Sequence, residues 1–141
     1  MGLEAELHDD LQQAREALVW KLEGLSEYDR SRPMVPTATN LLGLVRHVGI
    51  VEWGYLGATF GRPLEELEEG PEEIVNVYHR VRAHSDQTVE HLGLNALGKV
   101  PWWGGAEPVS VHRIPVPVIA ETNRHAGQAD IVRELIYGAA G

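Results

Sequence analysis

The sequence predicts an all-α domain, a four-helix bundle, on three observations. Four stretches repeat apolar residues every three or four positions, no stretch alternates like a strand, and proline and glycine gather between the periodic stretches. The first stretch runs from Leu3 to Leu25. Leu3, Leu7, Leu11, Ala14, Leu18, Leu22 and Leu25 form its apolar stripe, and Asp9, Asp10, Gln13, Arg15, Glu16 and Glu23 lie off it. Pro33 and Pro36 then keep Ser26 to Ala38 as a loop.

Thr39 or Asn40 can cap a second helix reaching about Phe60, with Leu41, Leu44, Val48, Val51 and Tyr55 inward. Gly61, Arg62 and Pro63 end it. A third helix is expected from Glu72 to about Leu92, with Ile74, Val77, Val81, Thr88 and Leu92 inward and Gly93 as its stop. The acidic stretch Glu65 to Glu73 before it reads as a solvated loop. Leu94 to Pro117 is irregular, a length that in a compact domain often serves function. Its Trp102 and Trp103 either cover an opening to the core or plug a bundle end. Ser110 could cap an early start to the fourth helix, but Pro115 and Pro117 favour a start near Pro117, since proline is tolerated only in a first turn. That helix runs to about Tyr137. Helices of about 20 residues, each ~30 Å long, suit an antiparallel bundle over residues 1–141 as one domain.

Composition narrows the chemistry. Acidic residues outnumber basic ones 21 to 12, for a net charge of -9, which disfavours nucleic acid as a partner. No apolar run is long enough to span a membrane and no N-terminal signal pattern is present, so a cytoplasmic protein is expected. The chain has no cysteine, which removes disulfides, thiolate ligands and a Cys–His nucleophile pair. Metal ligands must come from His, Asp and Glu.

Helical spacing puts Glu121 and His125 on the apolar face of the fourth helix with Val118, Ala129, Val132 and Ile136. Four residues apart, they are neighbours. His47 lies among Leu44, Val48 and Val51 on the second helix. A lone core histidine is commonly a structural group, and a Glu–His pair at this spacing is commonly only a hydrogen bond. Three such groups on the apolar faces of two helices point instead to a divalent metal site, because a buried carboxylate needs a partner or an ion. Two histidines and a carboxylate also leave coordination positions open. Asp130 points away from His125. Gln128 is close in angle but a weak ligand, so it is read, with Trp102, Trp103 and Glu52, as lining the pocket or supporting the ligands. His8, His79 and His91 are expected in solvent, His84 at the core edge, and His112 either exposed or at the site entrance.

The run Leu41 to Trp53, with His47 at its centre, resembles the second helix of the DinB/YfiT-like superfamily. Glu121-Thr122-Asn123-Arg124-His125-Ala126-Gly127-Gln128-Ala129-Asp130-Ile131 resembles the start of its last helix. The Gly24-Leu25-Ser26 turn and the Pro101-Trp102-Trp103 loop fit as well. The nearest branch is similar to mycothiol-dependent maleylpyruvate isomerases. The resemblance implies an up-down-down-up bundle, often a homodimer, with His47, Glu121 and His125 as metal ligands. It departs from close relatives at Gln128 and Pro117, where they commonly carry histidine.

The implied function is that of a metal-dependent enzyme that uses a low-molecular-weight thiol, mycothiol or bacillithiol, in a transferase or isomerase reaction on a small-molecule substrate. The thiol rests on the resemblance alone. Zinc is the first expectation for the ion; nickel, iron and manganese accept the same donors. The alternatives are a non-enzymatic metal- or ligand-binding stress protein, and a structural dimer in which Glu121 and His125 simply pair.

Overall fold

The apolar stripe of the first segment becomes helix α1 (Leu3–Trp20), and turns carry the chain through Gly24, whose positive φ of 74° suits a residue without a side chain. The computed structural model describes residues 2–62, 64, 74–104 and 107–140. Arg133 donates to the carbonyls of Lys21 and Glu23 at 2.7 and 2.9 Å, satisfying groups just beyond the end of α1.

The loop expected after Gly24 contains a short helix, α2 (Glu27–Ser31), capped by Ser26, whose side chain accepts from the Asp29 amide. Helix α3 (Leu41–Leu56) begins where Asn40 accepts from the Gly43 amide at 2.8 Å. It ends earlier than the spacing predicts and continues as a single 3-10 turn, Ala58–Phe60, closed by Gly61 at φ 66°. Helix α4 (Ile74–Leu92) is followed by Gly93 at φ 76°. The expected start at Glu72 and the acidic stretch Glu65 to Glu73 lie outside the described residues.

The irregular segment holds a two-residue antiparallel ladder, β1 (Leu97–Gly98) with β2 (Val109–Ser110). A strand pair this short carries no readable alternation. Ser110 precedes a 3-10 turn, Val111–Arg113, without a side-chain capping bond; its hydroxyl contacts the His112 ring instead. Helix α5 (Pro115–Ala140) then takes both prolines into its first turn, so it starts two residues before the expected Pro117.

Specific pairs fix the helix directions. His8 faces Asp86 while Glu16 faces Arg82, so α1 and α4 run antiparallel. The His47 and His125 rings meet, and Tyr55 and Leu56 share a cluster with Ile114 and Val118, so α3 and α5 are antiparallel. Tyr78 lies at Gly49 and Thr88 bonds Arg62, which makes α3 and α4 parallel. Leu11 packs with Val118, and Lys21 pairs with Asp130, making α1 and α5 parallel. The bundle is therefore up-down-down-up, as the resemblance implies.

Two apolar clusters fill it. One joins Leu18, Leu22, Leu44, Val45, Val48, Tyr78, Ala129 and Val132; the other, toward the opposite end, joins Leu11, Tyr55, Leu56, Val100, Ile114 and Val118. The inner face of α4 differs from expectation: Tyr78, Val81, Arg82, Ser85 and Thr88 are buried, whereas Leu92 at the helix end is exposed. Among the described residues no helix is long and apolar enough to cross a membrane.

Candidate metal centre

The seam between α3 and α5 carries the site. On α3, His47 stands between Leu44 of one apolar cluster and Val51, which packs on the other. On α5, Glu121 and His125 occupy successive turns between the buried Val118 and Ala129. Because α3 and α5 run antiparallel, these levels coincide. One candidate ligand atom from each of His47, Glu121 and His125 lies within 4.8 Å of the others.

The two imidazoles meet edge to face with centroids 4.5 Å apart. His125 Nε2 is 3.3 Å from Glu121 Oε2, and the two side chains are 13% and 25% exposed. That nitrogen is buried with no hydrogen-bond partner, an arrangement that costs free energy unless something occupies it. The other ring nitrogen, Nδ1, is 2.9 Å from Gln128 Oε1. Arg124 holds the second Glu121 oxygen at 3.1 Å. His47 is exposed rather than inside the core. The spacing argument placed it on the apolar side, and it stands at that side's outer edge. The site therefore faces solvent at His47, with Glu121 and His125 half-buried behind it.

The donor set fits a divalent ion. Ligand atoms about 2.1 Å from a common ion stand at most ~4.2 Å apart. The observed spread of up to 4.8 Å is within reach of small side-chain rotations.

The other expected participants go elsewhere. Glu52 is fully buried and paired with Arg15 of α1, itself fully buried; Arg15 also donates to Asp86 at 2.9 Å and Gln12 at 2.7 Å. Burial pushes the Glu52 carboxyl above its usual range, against the pull of the Arg15 guanidinium. Burial alone would lower Arg15, but Glu52 and Asp86 hold it above its ordinary value. This pair ties α1, α3 and α4 together and is no part of the triad. Sequence reasoning put Arg15 off the core stripe, and the structure corrects that.

Trp102 and Trp103 pack edge to face on Tyr55, at 4.7 and 5.9 Å between centroids, near the C-terminal end of α3. Trp103 joins the second apolar cluster and Trp102 stays 52% exposed. Asp130 pairs with Lys21, away from the triad. His8, His79, His91 and His112 are exposed, and His84 bonds the Arg62 carbonyl at 2.6 Å from a half-buried position.

A solved structure described as the conserved protein of locus from Enterococcus faecalis has a TM-score of 0.70 to this chain. At 16% identity it covers 98% of this chain and 99% of its own, so the likeness is one of fold. No curated protein matches the chain. The sequence matches the family described as Mycothiol-S-transferase over residues 6–70 and 65–138. The chain belongs to this mycothiol-S-transferase family, of the DinB/YfiT-like type.

Proposed function

We propose that the protein is a metal-dependent thiol S-transferase in which His47, Glu121 and His125 hold one divalent ion, zinc in the first instance. The observation that carries the metal is the convergence of two imidazoles and a carboxylate from two antiparallel helices within 4.8 Å of one another, one of the ring nitrogens being buried with no hydrogen-bond partner. The thiol follows from membership of the family. When bound, such an ion lowers the pKa of a coordinated thiol or water. Three protein ligands leave at least one position for it.

The chain's own residues supply the rest. Glu121 brings one negative charge to offset an ion, with its second oxygen held by Arg124. The apolar flanks Leu44, Val48 and Val118 exclude water from one side of the seam. The exposed edge at His47 admits the thiol and an electrophile. In the reaction the thiol S–H proton passes to solvent, a new S–C bond forms on the electrophile as its carbon–leaving-group bond breaks, and the leaving group departs with that electron pair; with an isomerisable substrate the thiolate adds and is later expelled. The resemblance further implies a homodimer, and the sequence leads us to expect it in the cytoplasm.

The test is turnover. Zinc-loaded protein should consume mycothiol in the presence of an electrophile, and chelation should stop it. A bound ion with no turnover across a broad electrophile panel would leave a metal-binding module instead.

A further inference from the structure

We infer that Gln128 is a positioning residue that fixes the tautomer of His125 and thereby makes Nε2 the metal-facing nitrogen; the inference rests on the metal reading above. A neutral imidazole carries one N–H and one lone pair, and the partner of one nitrogen decides the role of the other. Gln128 lies three residues beyond His125 on α5, a spacing at which helical side chains meet. Its Oε1 is 2.9 Å from His125 Nδ1. An amide oxygen only accepts, so Nδ1 carries the proton and donates. Nε2 then keeps its lone pair, and that buried nitrogen is the one without a hydrogen-bond partner, 3.3 Å from Glu121 Oε2.

The opposite arrangement has a different consequence. If Gln128 presented its NH₂ to the ring, Nδ1 would accept and the proton would move to Nε2. That proton would point at the Glu121 carboxylate and form an ordinary helix hydrogen bond, with no lone pair for an ion. The amide of Gln128 thus selects between a ligand pair and a structural pair on the same two residues. Metal-bound histidines usually donate their second N–H to such an outer partner, whose loss typically weakens metal affinity 10–100-fold. Gln128 is exposed, so its replacement does not disturb the core.

The experiment reads two quantities in wild type, Gln128→Leu and Gln128→Glu. The first is the His125 tautomer by nitrogen-15 NMR of metal-free protein at a pH where the ring is neutral. The second is the zinc dissociation constant by competition with a chromophoric chelator. The expected result is Nδ1–H in wild type, a shift toward Nε2–H with zinc binding ~10–100-fold weaker in Gln128→Leu, and restoration of both in Gln128→Glu, whose carboxylate also accepts. An Nε2–H wild type overturns the inference, as does a Leu variant unchanged in tautomer and affinity. A tautomer that follows residue 128 while no variant binds zinc supports the positioning role and overturns the metal reading.

Discussion

The imidazoles of His47 and His125 stand edge to face across the α3–α5 seam, 4.5 Å between centroids, with Glu121 Oε2 3.3 Å from the His125 ring. Neither helix could bring two nitrogens and a carboxylate to one point alone. Their meeting depends on the antiparallel register of α3 and α5.

Loading the triad should therefore stabilise the fold by linkage. Free zinc at one hundred times its dissociation constant adds about 2.7 kcal/mol. For a chain of this size that corresponds to a rise in Tm of roughly 5–10 °C. His47→Ala and Glu121→Ala should each abolish the rise and lose stoichiometric metal after gel filtration, with metal-free stability little changed. Calorimetry with and without zinc measures this. A metal content and Tm rise that survive both substitutions would sink the site.

The Arg15–Glu52 pair is a second consequence of the bundle. Removing Arg15 leaves a buried carboxylate without its cation, and removing Glu52 leaves the buried Arg15 only the half-buried Asp86 as a counter-charge. Arg15→Met or Glu52→Leu alone should cost about 3–5 kcal/mol, whereas the double variant should be close to neutral or even more stable by ~1–4 kcal/mol. Urea denaturation of the four proteins closes the cycle. Single costs that simply add would show that the two side chains do not act as a pair.

The same residue gives a pH signature. Burial raises the Glu52 carboxyl in the folded state above its ordinary 4.5, with Arg15 opposing. Between that value and the raised one, the folded protein binds more protons than the unfolded chain, so this group's contribution to stability falls as pH rises. Other carboxylates titrate nearby, so the informative quantity is the stability difference between wild type and Glu52→Gln. Wild type should lose stability relative to Glu52→Gln as pH rises from 4.5 through the raised value. A wild type that gains relative to Glu52→Gln over this range would contradict the direction of the shift.

Much of this was readable in the sequence. The stripes Leu11–Leu18–Leu22 and Val118–Ala129–Val132–Ile136 are buried as their spacing requires, and the same rule put Glu121 and His125 on one face. Applied evenly, it would also have found the buried pair. Arg15 lies four residues after Leu11 and three before Leu18; Glu52 lies four after Val48 and three before Tyr55. The spacing reading puts Arg15 off the stripe and Glu52 among the residues that line the pocket or support the ligands; long charged side chains ordinarily reach solvent, and only a partner from another helix reverses that. No local pattern reports such a partner. The short β1–β2 ladder was illegible for a different reason, since two residues are too few to show a period.

Gly98 in that ladder sits against the 3-10 turn. A Cβ there would lie 2.4 Å from the Thr59 carbonyl oxygen and 2.6 Å from Phe60 Cδ1, and Lys99 donates to the same carbonyl. Gly98→Ala should cost about 1–3 kcal/mol, because backbone must move. Gly127→Ala makes the contrast: within α5 a Cβ meets nothing within 4 Å, so helix propensity should stabilise it by ~0.5–1 kcal/mol. Chemical denaturation should give opposite signs.

The tryptophans separate two roles that sequence left open. Trp103 packs into the apolar cluster at the bundle end and lies under the Arg113 guanidinium at 5.3 Å. Trp102 rests over Gly54, seven residues from His47 and so about 10 Å along α3. Plugging the end predicts that Trp103→Ala costs about 3 kcal/mol, that Trp102→Ala costs less because half its surface already faces water, and that neither alters zinc affinity. Covering the site predicts the reverse: a small stability cost for Trp102→Ala with changed zinc binding or thiol KM. The packing on Tyr55 favours the plug, and a tenfold change in zinc affinity on removing Trp102 alone would reverse that assignment.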